Sequence, residues 1–164
     1  MKRKSLLAAL FAFVFVVDRF SKLWAAEALP SQGNVLVIPG LLELIYSENR
    51  GMALGILSGN TAATLLMPIA ALGLWFFMFR LYRHSWYIAI ASALMLGGFA
   101  GNFVDRLLFG YVVDMVFFPF LPWFICNVAD IAISISVGMI AASLLWRPQD
   151  WSKEHGNQNS NSPA

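Results

Sequence analysis

The chain has 164 residues, of which 59% are hydrophobic and only 12% charged, against about 25% charged in ordinary soluble domains. That excludes a soluble globular domain and leaves an integral membrane protein of one domain. The formal net charge of +2, carried by basic residues at the ends of apolar blocks, excludes nucleic acid as a partner and reports orientation in a bilayer instead. Cys126 is the only cysteine, which rules out an intramolecular disulfide and a multi-cysteine metal site.

The apolar material comes in blocks near the ~20 residues that cross a hydrocarbon core of ~30 Å. The first covers about 5–26, after Lys2, Arg3 and Lys4. Its basic start, its apolar stretch from Leu6 to Val17 and the small residues Ala25, Ala26 and Ala28 also fit a cleaved signal peptide. However, Asp18, Arg19 and Lys22 stand where such a peptide needs a short neutral segment. The block is expected to stay in the mature protein. From Glu27 to Asn60 the texture changes: Pro30, Gly33, Pro39 and Gly40 punctuate two β-like runs, Val35 to Ile38 and Leu41 to Tyr46, and predict a small extramembrane sheet.

A second apolar block covers about 61–79 and ends at Arg80, Arg83 and His84; a third covers about 86–107. The segment from Gly110 to Phe124, with Phe117, Phe118, Pro119, Phe120, Pro122 and Trp123, has a composition suited to the membrane interface. The fourth block covers about 127–146. The predicted architecture is thus all-α, a four-helix transmembrane bundle with a small extracytoplasmic β-sheet, in one domain over 1–148. The polar tail, 149–164, is expected to be disordered. Lysine and arginine gather at the N-terminus, at Arg80 and Arg83, and at Arg147 and Lys153, so both termini are placed in the cytoplasm and the segments before the second and fourth blocks outside. Trp24 and Trp123 then fall near the outer boundary.

Ionisable side chains inside a span cost ~2.5–3.5 kcal/mol each on insertion scales and face the bundle interior or a cavity. Asp18 and Lys22 are four apart on the first helix; Asn102, Asp105 and Arg106 lie within one turn or so on the third; Asn127 and Asp130 are three apart on the fourth. At the helical rise, Asp18 is ~12 Å, Asn102 ~8 Å and Asp130 ~5 Å below the outer ends of their helices. Helices running in alternating directions therefore deliver polar groups to one layer in the outer half of the bilayer.

The plainest account of that layer is structural, with Asp18 to Lys22 and Asp105 to Arg106 as neutralising pairs. Asp114 and Asp130 resist this account, because neither has a basic residue within helical reach. Gly97, Gly98 and Gly101, with Ala93 and Ala100, form a small-residue stripe that lets another backbone approach the third helix. Met67, Met78, Met95 and the many Phe residues read as packing or lipid-facing groups. His84 and His155 sit at the cytoplasmic side, far from the polar layer, so neither a histidine metal site nor a Ser-His-Asp triad is expected. Ser21 is expected to bond its own helix backbone.

These residues resemble the lipoprotein signal peptidases (signal peptidase II) of bacterial inner membranes over nearly the whole chain except the tail. The first motif reads Asp18-Arg19-Phe20-Ser21-Lys22, the second Asn49-Arg50-Gly51-Met52-Ala53, and the third Gly97-Gly98-Phe99-Ala100-Gly101-Asn102-Phe103-Val104-Asp105-Arg106. The motifs that carry the family's catalytic aspartates appear as Val112-Val113-Asp114 and Asn127-Val128-Ala129-Asp130. The chain departs from the family pattern at Met52, Leu54 and Cys126, the last standing where Phe is usual; these bear on pocket shape. The resemblance implies an aspartic endopeptidase with Asp114 and Asp130 as catalytic pair. Asp18, Lys22, Asn49, Gly51, Gly98, Gly101, Asn102, Asp105, Arg106, Asn127 and Ala129 would serve as binding and supporting residues. It further implies diacylglyceryl-prolipoprotein substrates cut before the lipidated cysteine, contact with membrane lipid, inhibition by globomycin, and no metal or organic cofactor.

Two rival readings are a proton- or ion-coupled transporter and a non-catalytic scaffold. A conducting path needs polar groups through the inner half as well, and Leu6 to Val17, Leu65 to Phe79 and Ile131 to Leu145 offer very few. Cleavage of a lipidated precursor by the purified protein separates all three.

Overall fold

The computed structural model describes residues 2–51 and 85–147, with positions 69, 72, 73 and 76 between them. Within these, helices α1 (Lys2–Gln32), α2 (Trp86–Phe109) and α3 (Val128–Trp146) carry strands β1 (Val35–Ile38), β2 (Leu42–Asn49), β3 (Val112–Phe117) and β4 (Ile125–Cys126) at one end. The strands form one antiparallel sheet in the order β1-β2-β3-β4.

The first block continues as helix to Gln32 rather than stopping near Ala26. Its added turns are held by burial: Ala25 and Leu29 pack with Val113 and Met115 of β3 as a core under the sheet. Pro30 removes one N–H so close to the end that little is lost, and the helix closes on Gly33, whose N–H reaches the Leu29 carbonyl at 2.9 Å with φ at 73°. The predicted hairpin strands are present, with β2 extending to Asn49. The aromatic segment before the fourth block, expected only to line the interface, contains β3. Its run Val112-Val113-Asp114-Met115-Val116-Phe117 is rich in β-branched residues and is paired on both sides.

α2 and α3 are each long and apolar enough to cross a membrane. Gly98 lets them meet closely, since a Cβ there would lie 2.5 Å from the Ala129 carbonyl oxygen. Ser136 ties them further, its hydroxyl donating to the Ala91 carbonyl at 2.6 Å. α1 runs beside α2 in the same direction: Arg3 donates to the Ser85 carbonyl at 2.8 Å at one end, and Lys22 reaches Asn102 near the other. Arg3 also stacks on Trp86 at 4.8 Å and Arg147 on Tyr87 at 5.0 Å, so basic residues cluster at the end opposite the sheet. The expected second helix, 61–79, lies outside the described residues apart from helical positions 69, 72, 73 and 76, as do the tail, Met52, Leu54 and His84. The described residues that flank it, Gly51 and Ser85, lie at opposite ends of the bundle, Gly51 bonded to Arg106 late in α2 and Ser85 capping its start.

Candidate active site

Alternation along β3 sends Val113 and Met115 into the core with α1 and Asp114 to the other face. The short antiparallel pairing of β3 with β4, Val116 opposite Cys126, then folds the chain back so that Asn127, the next residue, arrives beside Asp114. The Asn127 amide donates to Asp114 Oδ1 at 2.6 Å and, at 3.4 Å, to the Val113 carbonyl. Asn49, at the end of β2, donates to Asp114 Oδ2 at 3.0 Å.

Asn127 also starts α3. Its Oδ1 accepts the Asp130 N–H at 2.9 Å while Asp130 Oδ2 accepts the Asn127 N–H at 3.3 Å, a reciprocal capping box that satisfies two donors otherwise orphaned at a helix start. The three-residue spacing read from the sequence is the spacing of this cap. Asp130 Oδ1 accepts from Asn102 Nδ2 at 2.7 Å. Each aspartate thus accepts from two asparagines, Asp114 from Asn49 and Asn127 and Asp130 from Asn102 and Asn127, so that Asn127 is the one they share. Neither forms a salt bridge among the described residues. Asp114 is 2% exposed, whereas Asp130 is partly open.

Below them lies a charged cluster that is 0–1% exposed at Asp18, Lys22 and Asp105. The Lys22 ammonium donates to Asn102 Oδ1 at 2.7 Å and forms ion pairs with Asp18 Oδ2 at 2.8 Å and Asp105 Oδ2 at 3.0 Å. Asp18 Oδ1 accepts the Ala129 N–H at 2.9 Å, a carboxylate at the positive end of α3. The expected Asp18 to Lys22 pair is present. The expected Asp105 to Arg106 pair is not: Asp105 is bound by Arg19 and Lys22, both from α1. Adjacent residues on a helix point about 100° apart and cannot share a partner face. Arg106 instead donates to the Gly51 carbonyl at 3.1 Å and to the Asn102 carbonyl at 3.3 Å, tying the end of the β2 segment to α2.

The remaining expected residues fall into the same assembly. Gly51 donates to Asn49 Oδ1 at 3.1 Å and so orients the amide that meets Asp114. Gly101 has no room for a side chain because Asp18 fills the space, and Ala129 is fully buried. Ser21 bonds the Asp18 carbonyl of its own helix at 2.9 Å. Arg19 was legible only as a charge within the first block, since its partner is on another helix. It also lies 5.9 Å over the Phe109 ring.

Burial, and next the nearby Asp130, push the Asp114 carboxyl up to about 6 against its donors Asn49 and Asn127. Burial, and then the two aspartates, push the Cys126 thiol up to about 12, so it stays protonated and unreactive at neutral pH. Among the described residues no cluster of three His, Cys, Asp or Glu side chains could hold a metal ion. What the arrangement offers is two carboxylates bonded to one shared asparagine, one of them partly open to the surface.

A sequence model of the family described as signal peptidase (SPase) II matches residues 10–146. The lipoprotein signal peptidase of Streptococcus thermophilus (strain CNRZ 1066) is 29% identical over 153 residues, covering 93% of this chain and 99% of that protein. The lipoprotein signal peptidase of Fusobacterium nucleatum subsp. nucleatum is 35% identical over 133 residues, 80% of this chain and 81% of that protein. Among solved structures, a bacterial membrane enzyme determined by the in meso method at 2.3 Å resolution matches with a TM-score of 0.80 at 29% sequence identity, over 92% of this chain and 93% of that one.

Proposed function

From a chain that belongs to the signal peptidase II family, and is therefore a bacterial membrane peptidase, we propose an aspartyl endopeptidase that removes signal peptides from diacylglyceryl-modified prolipoproteins. Cleavage falls just before the lipidated cysteine of the substrate, Asp114 and Asp130 form the catalytic pair, and globomycin inhibits. The observation that carries this reading is that two carboxylates without a salt bridge among the described residues are joined through one residue, Asn127, whose side-chain amide donates to Asp114 and whose backbone N–H donates to Asp130. Two acids so placed cannot readily both ionise and share one proton near neutral pH.

The ionised member takes a proton from water as it attacks the scissile carbonyl. The protonated member hydrogen-bonds the carbonyl oxygen and then helps protonate the leaving amine. Asn102 and Asn127 orient the pair, and Asn49 holds Asp114 from the sheet. The site lies at the extracytoplasmic face, where acyl chains stay in lipid while the peptide enters from the side. That placement follows the basic residues at the opposite, cytoplasmic end of the bundle. Asp114→Asn and Asp130→Asn each keep side-chain volume but remove the shared proton and base, so turnover of a lipidated precursor is expected to fall by several orders of magnitude with expression retained. A correctly folded single variant within about tenfold of wild type, only ~1.4 kcal/mol in barrier, overturns the aspartyl assignment.

A further inference from the structure

Buried between α1 and α2, the Lys22 ammonium makes its shortest contact not with either carboxylate but with Asn102 Oδ1, at 2.7 Å. An ammonium only donates, so the atom that faces it must be the amide oxygen. Once that oxygen is committed, the Asn102 NH₂ has one direction left, and there it meets Asp130 Oδ1 at 2.7 Å. A flipped amide would set an NH₂ against the ammonium and a carbonyl oxygen against the Asp130 carboxylate, two repulsive contacts in place of two charge-assisted bonds. Asn127 Nδ2 supports the same orientation through a longer bond of 3.2 Å to Asn102 Oδ1, but its 2.6 Å bond goes to Asp114.

We propose that Lys22 is a positioning residue for the hydrolytic pair, its ammonium imposing on Asn102 the amide orientation that aims an N–H at Asp130. The proposal rests on the aspartyl reading above and assigns Lys22 a task that charge neutralisation alone does not include. Asp18 and Asp105 neutralise and hold the ammonium, and Asp18 also anchors the Ala129 N–H one residue before Asp130. The cluster thereby places both the helix that bears Asp130 and the amide that meets it.

The test uses the full chain in detergent or nanodiscs with a lipidated precursor. Removing Lys22 alone leaves Asp18 and Asp105 in excess over Arg19, so the primary variant combines Lys22→Met with Asp18→Asn. This keeps the charge balanced, leaves the Arg19 to Asp105 pair intact and retains an oxygen for the Ala129 N–H. Asp18→Asn with Lys22→Gln is the companion, in which the cluster keeps hydrogen-bonding groups yet no longer dictates the amide direction. In both, kcat is expected to fall on the order of tenfold to hundredfold, the range that goes with misplacing a catalytic group by about 1 Å, while KM stays within about twofold. In an Asn102→Ala background there is no amide left to orient, so the same substitutions are expected to lower kcat by less than about threefold more. Retention of kcat within threefold in a folded variant, or an equal loss with and without Asn102, overturns the positioning role. Asp130→Asn assayed alongside separates the two levels: if it stays active, the aspartyl reading itself has failed; if it is inactive, those outcomes bear on Lys22 alone.

Discussion

Replacing Gly98 by Ala places a Cβ 2.5 Å from the Ala129 carbonyl oxygen, 2.8 Å from Ile133 Cγ1 and 3.3 Å from the Ala129 carbonyl carbon. Backbone atoms cannot swing aside as the end of a long side chain can. Restoring an ordinary contact of about 3.4 Å from 2.5 Å requires an opening of about 0.9 Å between α2 and α3. Ala129 directly precedes Asp130, so the displacement passes to the carboxylate, while Asn102, which binds it, stays on the other helix. Misplacement on that scale costs on the order of 10²-fold in rate, about 2.7 kcal/mol in barrier, and the overpacking itself costs ~1–3 kcal/mol of stability. Gly138→Ala, on α3 itself, is the control: a Cβ there meets nothing within 4 Å, and the higher helix propensity of Ala contributes up to ~1 kcal/mol. The assay is kcat/KM on a lipidated precursor beside thermal unfolding of each purified variant. Gly98→Ala within threefold of wild type, or an equal loss in Gly138→Ala, would refute the claim that close approach of these helices sets the site.

Three further outcomes are expected. Because the Asp114 carboxyl sits at about 6 in the folded protein against an ordinary 3.8, its stabilising contribution is fully present below about 3.8 and is lost as pH rises through about 6. The wild type should therefore lose up to about 3 kcal/mol relative to Asp114→Asn between pH 4 and 7, read as diverging thermal midpoints; a pH-independent gap contradicts it. Intact mass of the membrane-extracted protein should show the first block retained, since Asp18 and Lys22 belong to the buried cluster; a chain starting near Ala26 would remove both. In a Cys126→Ser background, a membrane-impermeant thiol reagent applied to intact cells should label Asn34→Cys and spare Arg83→Cys, and the reverse pattern would invert the proposed topology.

The membrane character, the limits of α2 and α3 to within a few residues, and the grouping of Asp18 with Lys22 and of Asn127 with Asp130 were all legible in the chain. Each depends on helical periodicity and on the length of apolar runs, which are local properties. The glycine stripe was legible as a place of close approach, but not what approaches: Val14 at Gly97, Ala129 at Gly98 and Asp18 at Gly101. Strand β3 had a local signal in Val112, Val113 and Val116, which the aromatic and proline residues after it obscured.

Other features were settled by tertiary structure. Asp105 takes Arg19 and Lys22 from α1 rather than its neighbour Arg106, because partners inside a bundle are chosen by which helix faces meet. α1 runs on to Gln32 because Ala25 and Leu29 find a sheet to pack against. The pairing of β3 with β4 is what delivers Asn127 to both Asp114 and Asp130, a link that no spacing along one element could announce. Residue types and spacing along one element announce which groups a site can contain. Distances between elements depend on how their surfaces pack, and that is a property of the whole folded chain.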